Sequence, residues 1–203
     1  PAPLAPTWAV PDLVDRRGRA PAEVLAEFGE AVCFAEGPGA PEGLPTVDRY
    51  GLRPSADLVL LTPPASARVL DEAIARVGAR RLVMAWQAKP SPAEERFLPT
   101  LLGLVGQVLA HSPYVSVPRL AVRLGELEIS VRLGVTALAE SNLLAVDEES
   151  PEQIRVRRRS DGKGILESEA LQTLRTILGE SRAFRRFLRK ADADAIRKII
   201  HAP

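Results

Sequence analysis

Histidine, cysteine and aromatic side chains are scarce in this chain of 203 residues, and their scarcity removes most catalytic readings. There are two histidines, His111 and His201, and one cysteine, Cys33. A single cysteine excludes an internal disulfide framework and fits a reducing compartment, the cytoplasm. Neither histidine has a sequence neighbour that completes a metal pair or a proton-transfer dyad, and no His-x-His or Asp-His-His run occurs. Cys33 sits in the apolar run Ala31-Val-Cys-Phe-Ala35, the setting of an inert core thiol rather than a nucleophile. No apolar run is long enough to span a bilayer, and no basic start with an apolar middle marks a secretory leader. The chain opens Pro1-Ala-Pro-Leu-Ala-Pro6 without Met and reads as a fragment or a processed product.

A phosphate-binding glycine loop is missing too. Thr62-Pro-Pro-Ala-Ser66 follows a strand, at the place where doubly wound folds bind ligands. Pro63 and Pro64 remove two of the N–H groups that a phosphate cradle needs. The segment therefore reads as a structural turn, with Ser66 capping the next helix. Glu94-Glu95 and Glu148-Glu149 are adjacent pairs whose carboxylates point apart on a helix or strand. No catalytic residue, metal ligand or cofactor is assigned to this chain.

What the chain does have is a core and an uneven charge. Its hydrophobic content is 46% and its net charge +1. From Pro151 to Pro203 there are 13 Lys/Arg against 7 Asp/Glu, whereas the first 150 residues carry 14 against 19. The C-terminal quarter is the part that attracts anions.

The order of patterns predicts an α/β part over residues 1–90, with a small parallel, Rossmann-like sheet, followed by a mainly helical part over 91–203. Strands are expected at 9–15, 31–35, 46–50, 56–61 and 81–86, with helices at 21–30 and 65–77. The continuous apolar runs Leu58-Val-Leu-Leu61 and Leu82-Val-Met-Ala85, joined by a helix, form a βαβ pattern with both sheet faces covered. Residues 87–92 read as a boundary. A helix is expected over 93–110, broken or bent near Pro99. Helices at 117–125 and 128–141 then flank Gly125, and strands at 142–146 and 153–158 flank an acidic loop. Helix, turn, helix and hairpin is the order of a winged helix. Two or three helices fill 167–200.

The strongest binding signal lies in Ser181-Arg-Ala-Phe-Arg-Arg-Phe-Leu-Arg-Lys190. Arg182, Arg185, Arg186 and Arg189 recur at helical spacing, and Phe184, Phe187, Leu188 and Ala191 are expected on the opposite face. With Lys190 they form a cationic stripe suited to phosphates or to an acidic peptide, or else a solvated basic surface. Arg16 and Arg17 follow Asp15 and could meet a phosphate or a partner, or pair with local carboxylates. Arg157, Arg158 and Arg159 make one strand of the supposed wing basic. The second helix of the winged pattern leaves Glu128, Arg132, Thr136 and Glu140 outward, which is not a set that reads bases in a major groove.

Val14-Asp-Arg-Arg-Gly18, Ala56-Asp-Leu-Val-Leu-Leu-Thr-Pro-Pro64, Arg81-Leu-Val-Met-Ala85 and the close at Gly162-Lys-Gly-Ile-Leu-Glu-Ser168 are mostly hydrophobic pattern. In their order the chain resembles the C-terminal region of bacterial RecJ-type single-strand DNA exonucleases, of the DHH phosphoesterase superfamily. The resemblance implies a non-catalytic accessory module of a 5′–3′ exonuclease of DNA repair and recombination. The Mn²⁺ or Mg²⁺ and the Asp/His motifs of that enzyme would lie outside this chain. It also implies partner binding, for which the acidic, apolar-ended tail of single-stranded-DNA-binding protein, or another repair protein, is the natural ligand. A DNA backbone gripped by the C-terminal arginines is the second reading, a free-standing nucleotide enzyme the third, and no membrane partner is expected.

Overall fold

The computed structural model describes residues 9–86, 96–159, 161, 162 and 164–200. The expected boundary at 87–92, the start of the helix at 93–95 with the Glu94-Glu95 pair, and His201 lie outside them. The protein is mixed α/β and divides into two compact units. One comprises residues 1–90 together with 183–203, and the other comprises residues 91–182. The sequence places all of 91–203 in the second part; the structure gives the last stretch to the first.

The first unit is built on strands β1 (Asp12–Asp15), β2 (Val32–Phe34), β3 (Asp57–Leu60) and β4 (Arg81–Met84), with helices α1 (Pro21–Glu27) and α2 (Ala67–Val77). All four strands are parallel, in the order β1-β4-β3-β2. Val59 and Val83 are fully buried at the middle of the sheet and pack with Val24 of α1 and with Phe28. Each parallel strand needs a crossover, and α2 supplies the one between β3 and β4. Its limits follow from two residues. The Ser66 hydroxyl accepts from the Val69 N–H at 3.3 Å, and Gly78, at φ 64°, takes the left-handed conformation that ends helices. The strand expected at 46–50 is reduced to one bridge, Phe34 with Val47.

The long β2–β3 connection is closed by an ion pair. Glu36, 3% exposed at its side chain, takes the Arg49 backbone N–H and Nε each at 2.8 Å, and Arg49 Nη2 binds its other oxygen. The Glu36 N–H donates to Thr62 Oγ1 at 2.9 Å. Thr62 thus ties two strand ends together, in keeping with a structural turn.

In the second unit, α3 (Phe97–Leu109) leads to β5 (Tyr114–Ser116), α4 (Val117–Leu124), α5 (Glu128–Glu140), β6 (Leu144–Glu149) and β7 (Gln153–Arg158). The strands form an antiparallel sheet in the order β5-β7-β6. Strand β5 is absent from the sequence reading, because three residues carry no measurable period. Helix α3 is unbroken, since Pro99 lies in its first turn, where backbone N–H groups lack intrahelical partners anyway.

Leu101, Val105, Leu120, Val131, Leu138, Ile154 and Val156 are at most 3% exposed and form the core between helices and sheet. Gly134 lets α5 approach α3 closely: a Cβ there would sit 2.5 Å from Leu101 Cδ2 and 2.9 Å from Phe97 Cε1. Gly134→Ala is therefore expected to cost about 1–3 kcal/mol despite the higher helix propensity of alanine. Urea denaturation followed by far-UV circular dichroism checks this, and a neutral or stabilising result would contradict the close approach.

Helices α6 (Glu169–Lys190) and α7 (Ala193–Ile199) complete the chain. Ser168 starts α6 by accepting from the Leu171 N–H at 3.2 Å. Asp192 starts α7 by accepting from the Ala195 N–H at 2.8 Å. From residue 183 onward α6 belongs to the first unit, where α7 lies against β1.

Candidate functional site

The leucines upstream set the phase of α6. Leu171, Leu174, Leu178, Ser181, Arg185 and Leu188 are buried, three and four residues apart, and make one continuous stripe. Arg185, only 4% exposed, falls on that stripe. This overturns the expected outward stripe of four arginines. Arg182 and Arg189 flank the buried stripe and are half-buried, and Arg182, Arg185 and Arg189 each have polar or charged partners in the chain. The same phase turns Phe187, expected inside, outward to 37% exposure. The exposed face of this end of α6 is Ala183, Arg186, Phe187 and Lys190. An aromatic ring stands there beside two cations whose side chains have no partner among the described residues.

Arg16 and Arg17 are occupied. Arg16 grips Glu27 through Nε and Nη2, and Arg19 reaches the same carboxylate at 2.8 Å. The Arg16 hydrogen bond holds the Glu27 carboxyl below the usual carboxylate range. Arg17 binds the Asp15 carboxylate at 2.9 Å and lowers its pKa in the same way, against a smaller opposing effect of burial. Its Nη1 donates to the Leu188 and Ala191 carbonyls, both at 2.8 Å. These are orphan acceptors at the end of α6, so Arg17 acts as a side-chain cap.

The basic strand β7 divides in two. Arg157 is bidentate to Asp147 at 2.7 and 2.8 Å, and Arg159 is bidentate to Asp161. Each arginine holds its carboxylate partner below the normal range through those hydrogen bonds. Arg158 alone of the three has no hydrogen-bond or ion-pair partner among the described residues. On α5, Arg132 binds Glu149 and the Ser150 and Pro151 carbonyls, which fixes it to the β6–β7 turn.

Sequence reasoning passed over two further features. Arg155 lies over the ring of Tyr114, 5.8 Å from its centroid, a pairing that needs β5 to be seen. Asp192-Ala-Asp194, the one Asp-x-Asp run in the sequence, belongs to a helix start, with Asp194 paired to Arg197 at 3.2 Å. Among the described residues no three His, Cys, Asp or Glu side chains gather as a metal-ligating group, and no helix is long and apolar enough to cross a membrane. Cys33 is a free, buried thiol whose pKa burial pushes up.

No protein-family model, curated protein or solved structure matches this chain.

Proposed function

We propose that this chain is a non-catalytic accessory module of a RecJ-type 5′–3′ single-strand DNA exonuclease, working in the cytoplasm in DNA repair and recombination. In this reading it docks the acidic, apolar-ended tail of single-stranded-DNA-binding protein. Two features support the parentage. A parallel α/β unit precedes a unit ordered helix, strand, helix, helix, strand, strand, with the sheet order β5-β7-β6. That order fits a winged helix, and together the two units match the order of parts that the resemblance implies. The metal chemistry of the parent enzyme is assigned to residues outside this chain.

The observation that carries the docking function is Phe187 standing exposed beside Arg186 and Lys190. Carboxylates of a peptide meet the two cations, while its apolar end covers the ring and the small Ala183. Anisotropy of a labelled acidic peptide with an apolar C-terminus tests this directly. Phe187→Ala is expected to weaken binding about tenfold or more. Arg186→Glu with Lys190→Glu is expected to abolish it, and the wild-type affinity should fall with salt. A double variant that binds like the wild type, while folded, would place the docking surface elsewhere.

A further inference from the structure

We infer that the first unit carries a binding pocket for a free apolar α-amino acid, at the turn where α1 gives way to β2. The pocket has a volume of about 170 Å³. Phe28 and Cys33, 9% and 6% exposed, form its buried floor. Half-buried Leu25 and Ala31 form its walls, and Glu30 and Arg53 are exposed at its mouth. Two contacts preform it. The Ala31 N–H donates to the Phe28 carbonyl at 2.8 Å and closes the turn. The Ser55 hydroxyl donates to the Glu30 carbonyl at 3.4 Å, which ties that turn to the segment bearing Arg53.

The floor is apolar and its groups are committed. The Arg81 guanidinium covers one face of the Phe28 ring, 5.5 Å from its centroid, and is itself bound to Asp57. The Cys33 thiol donates to the Ala31 carbonyl at 3.7 Å, and burial keeps it protonated. A dry cavity of about 150 Å³ takes a benzene ring. This pocket therefore suits a benzyl or branched aliphatic side chain and little more.

The mouth selects what that side chain is attached to. The side chains of Glu30 and Arg53 have no partner among the described residues. Glu30 repels a wholly anionic ligand, and Arg53 repels a wholly cationic one. An α-amino acid carries an ammonium and a carboxylate on the carbon that bears its side chain. One molecule thus answers both charges and fills the apolar floor. Both charged contacts are exposed and so weak in water, which sets the affinity at about 1 mM.

The test is a titration of the isotope-labelled full chain with L-phenylalanine, read by amide chemical shifts. The amides of Gly29, Glu30 and Ala31 are expected to shift and to saturate at millimolar ligand. Phenethylamine lacks the carboxylate and hydrocinnamate lacks the ammonium; each should bind about fivefold or more weakly. Arg53→Glu and Glu30→Lys set a like charge against the ligand and are each expected to abolish the shifts. Both positions are exposed, so the fold should be unchanged. The Arg186→Glu, Lys190→Glu variant should bind L-phenylalanine normally while losing the acidic peptide, so the pocket and the α6 face stand or fail separately. The inference is overturned if no amide at the mouth shifts, or if either one-charge analogue binds as tightly as L-phenylalanine. It is equally overturned if either folded mouth variant binds like the wild type, or if the α6 variant loses the response.

Discussion

Arg185→Glu is expected to destabilise the first unit by about 3–5 kcal/mol, whereas Arg186→Glu, one residue on, should change stability by less than about 0.5 kcal/mol. Sequence similarity gives no reason for this contrast; the helix phase does. Arg185 continues the buried line through Leu178, Ser181 and Leu188, and reversing its charge there leaves an uncompensated charge away from water. Arg186 is exposed and loses nothing on folding. Both tryptophans of the chain, Trp8 and Trp86, precede residue 91, so tryptophan fluorescence in urea follows the first unit, to which residue 185 also belongs. Equal midpoints for the two variants would show that the buried stripe is misassigned. Arg185 is consequently the wrong residue for a binding test, because its loss would be felt as unfolding.

Glu36→Gln is expected to cost a similar amount, about 3–5 kcal/mol. The carboxylate takes three hydrogen bonds from Arg49 and is nearly sealed from solvent. A glutamine amide presents donors to donors and leaves the half-sealed guanidinium without its counter-charge. Glu36→Leu combined with Arg49→Met should restore most of the loss, since a buried ion pair and a well-packed apolar pair of similar volume are close in free energy. If the double variant is as unstable as the single, the clamp is not acting as a pair. The same fluorescence measurement reads both variants, and unchanged stability in Glu36→Gln would remove the clamp altogether.

The elements with strong local patterning were legible in the sequence. The β3-α2-β4 unit announced itself through two continuous apolar runs, and Ser66 and Gly78 set the limits of its helix. Helices α4 and α5 followed from their apolar periods around Gly125. The face of α6 is legible in its leucines and not in its arginines: Leu171, Leu174 and Leu178 fix the phase of the helix, whereas the arginine spacing alone does not say which side is buried. Extending the leucine register by two turns places Arg185 inside and Phe187 outside.

Other features have no local signal. Arg17 reaches carbonyls at positions 188 and 191, a partnership that only the tertiary fold creates. Glu36 and Arg49 meet because their loop closes, and no spacing rule joins them. The Tyr114–Arg155 pair depends on a strand too short to show alternation.

The placement of residues 183–203 in the first unit bears on how the chain matures as it is synthesised. The second unit is one uninterrupted stretch and can close while the remainder is still being translated. The first cannot, because α7 and the end of α6 that Arg17 holds are translated only after the second unit. The strands of the first unit thus wait through the synthesis of an entire second unit before their final helix arrives.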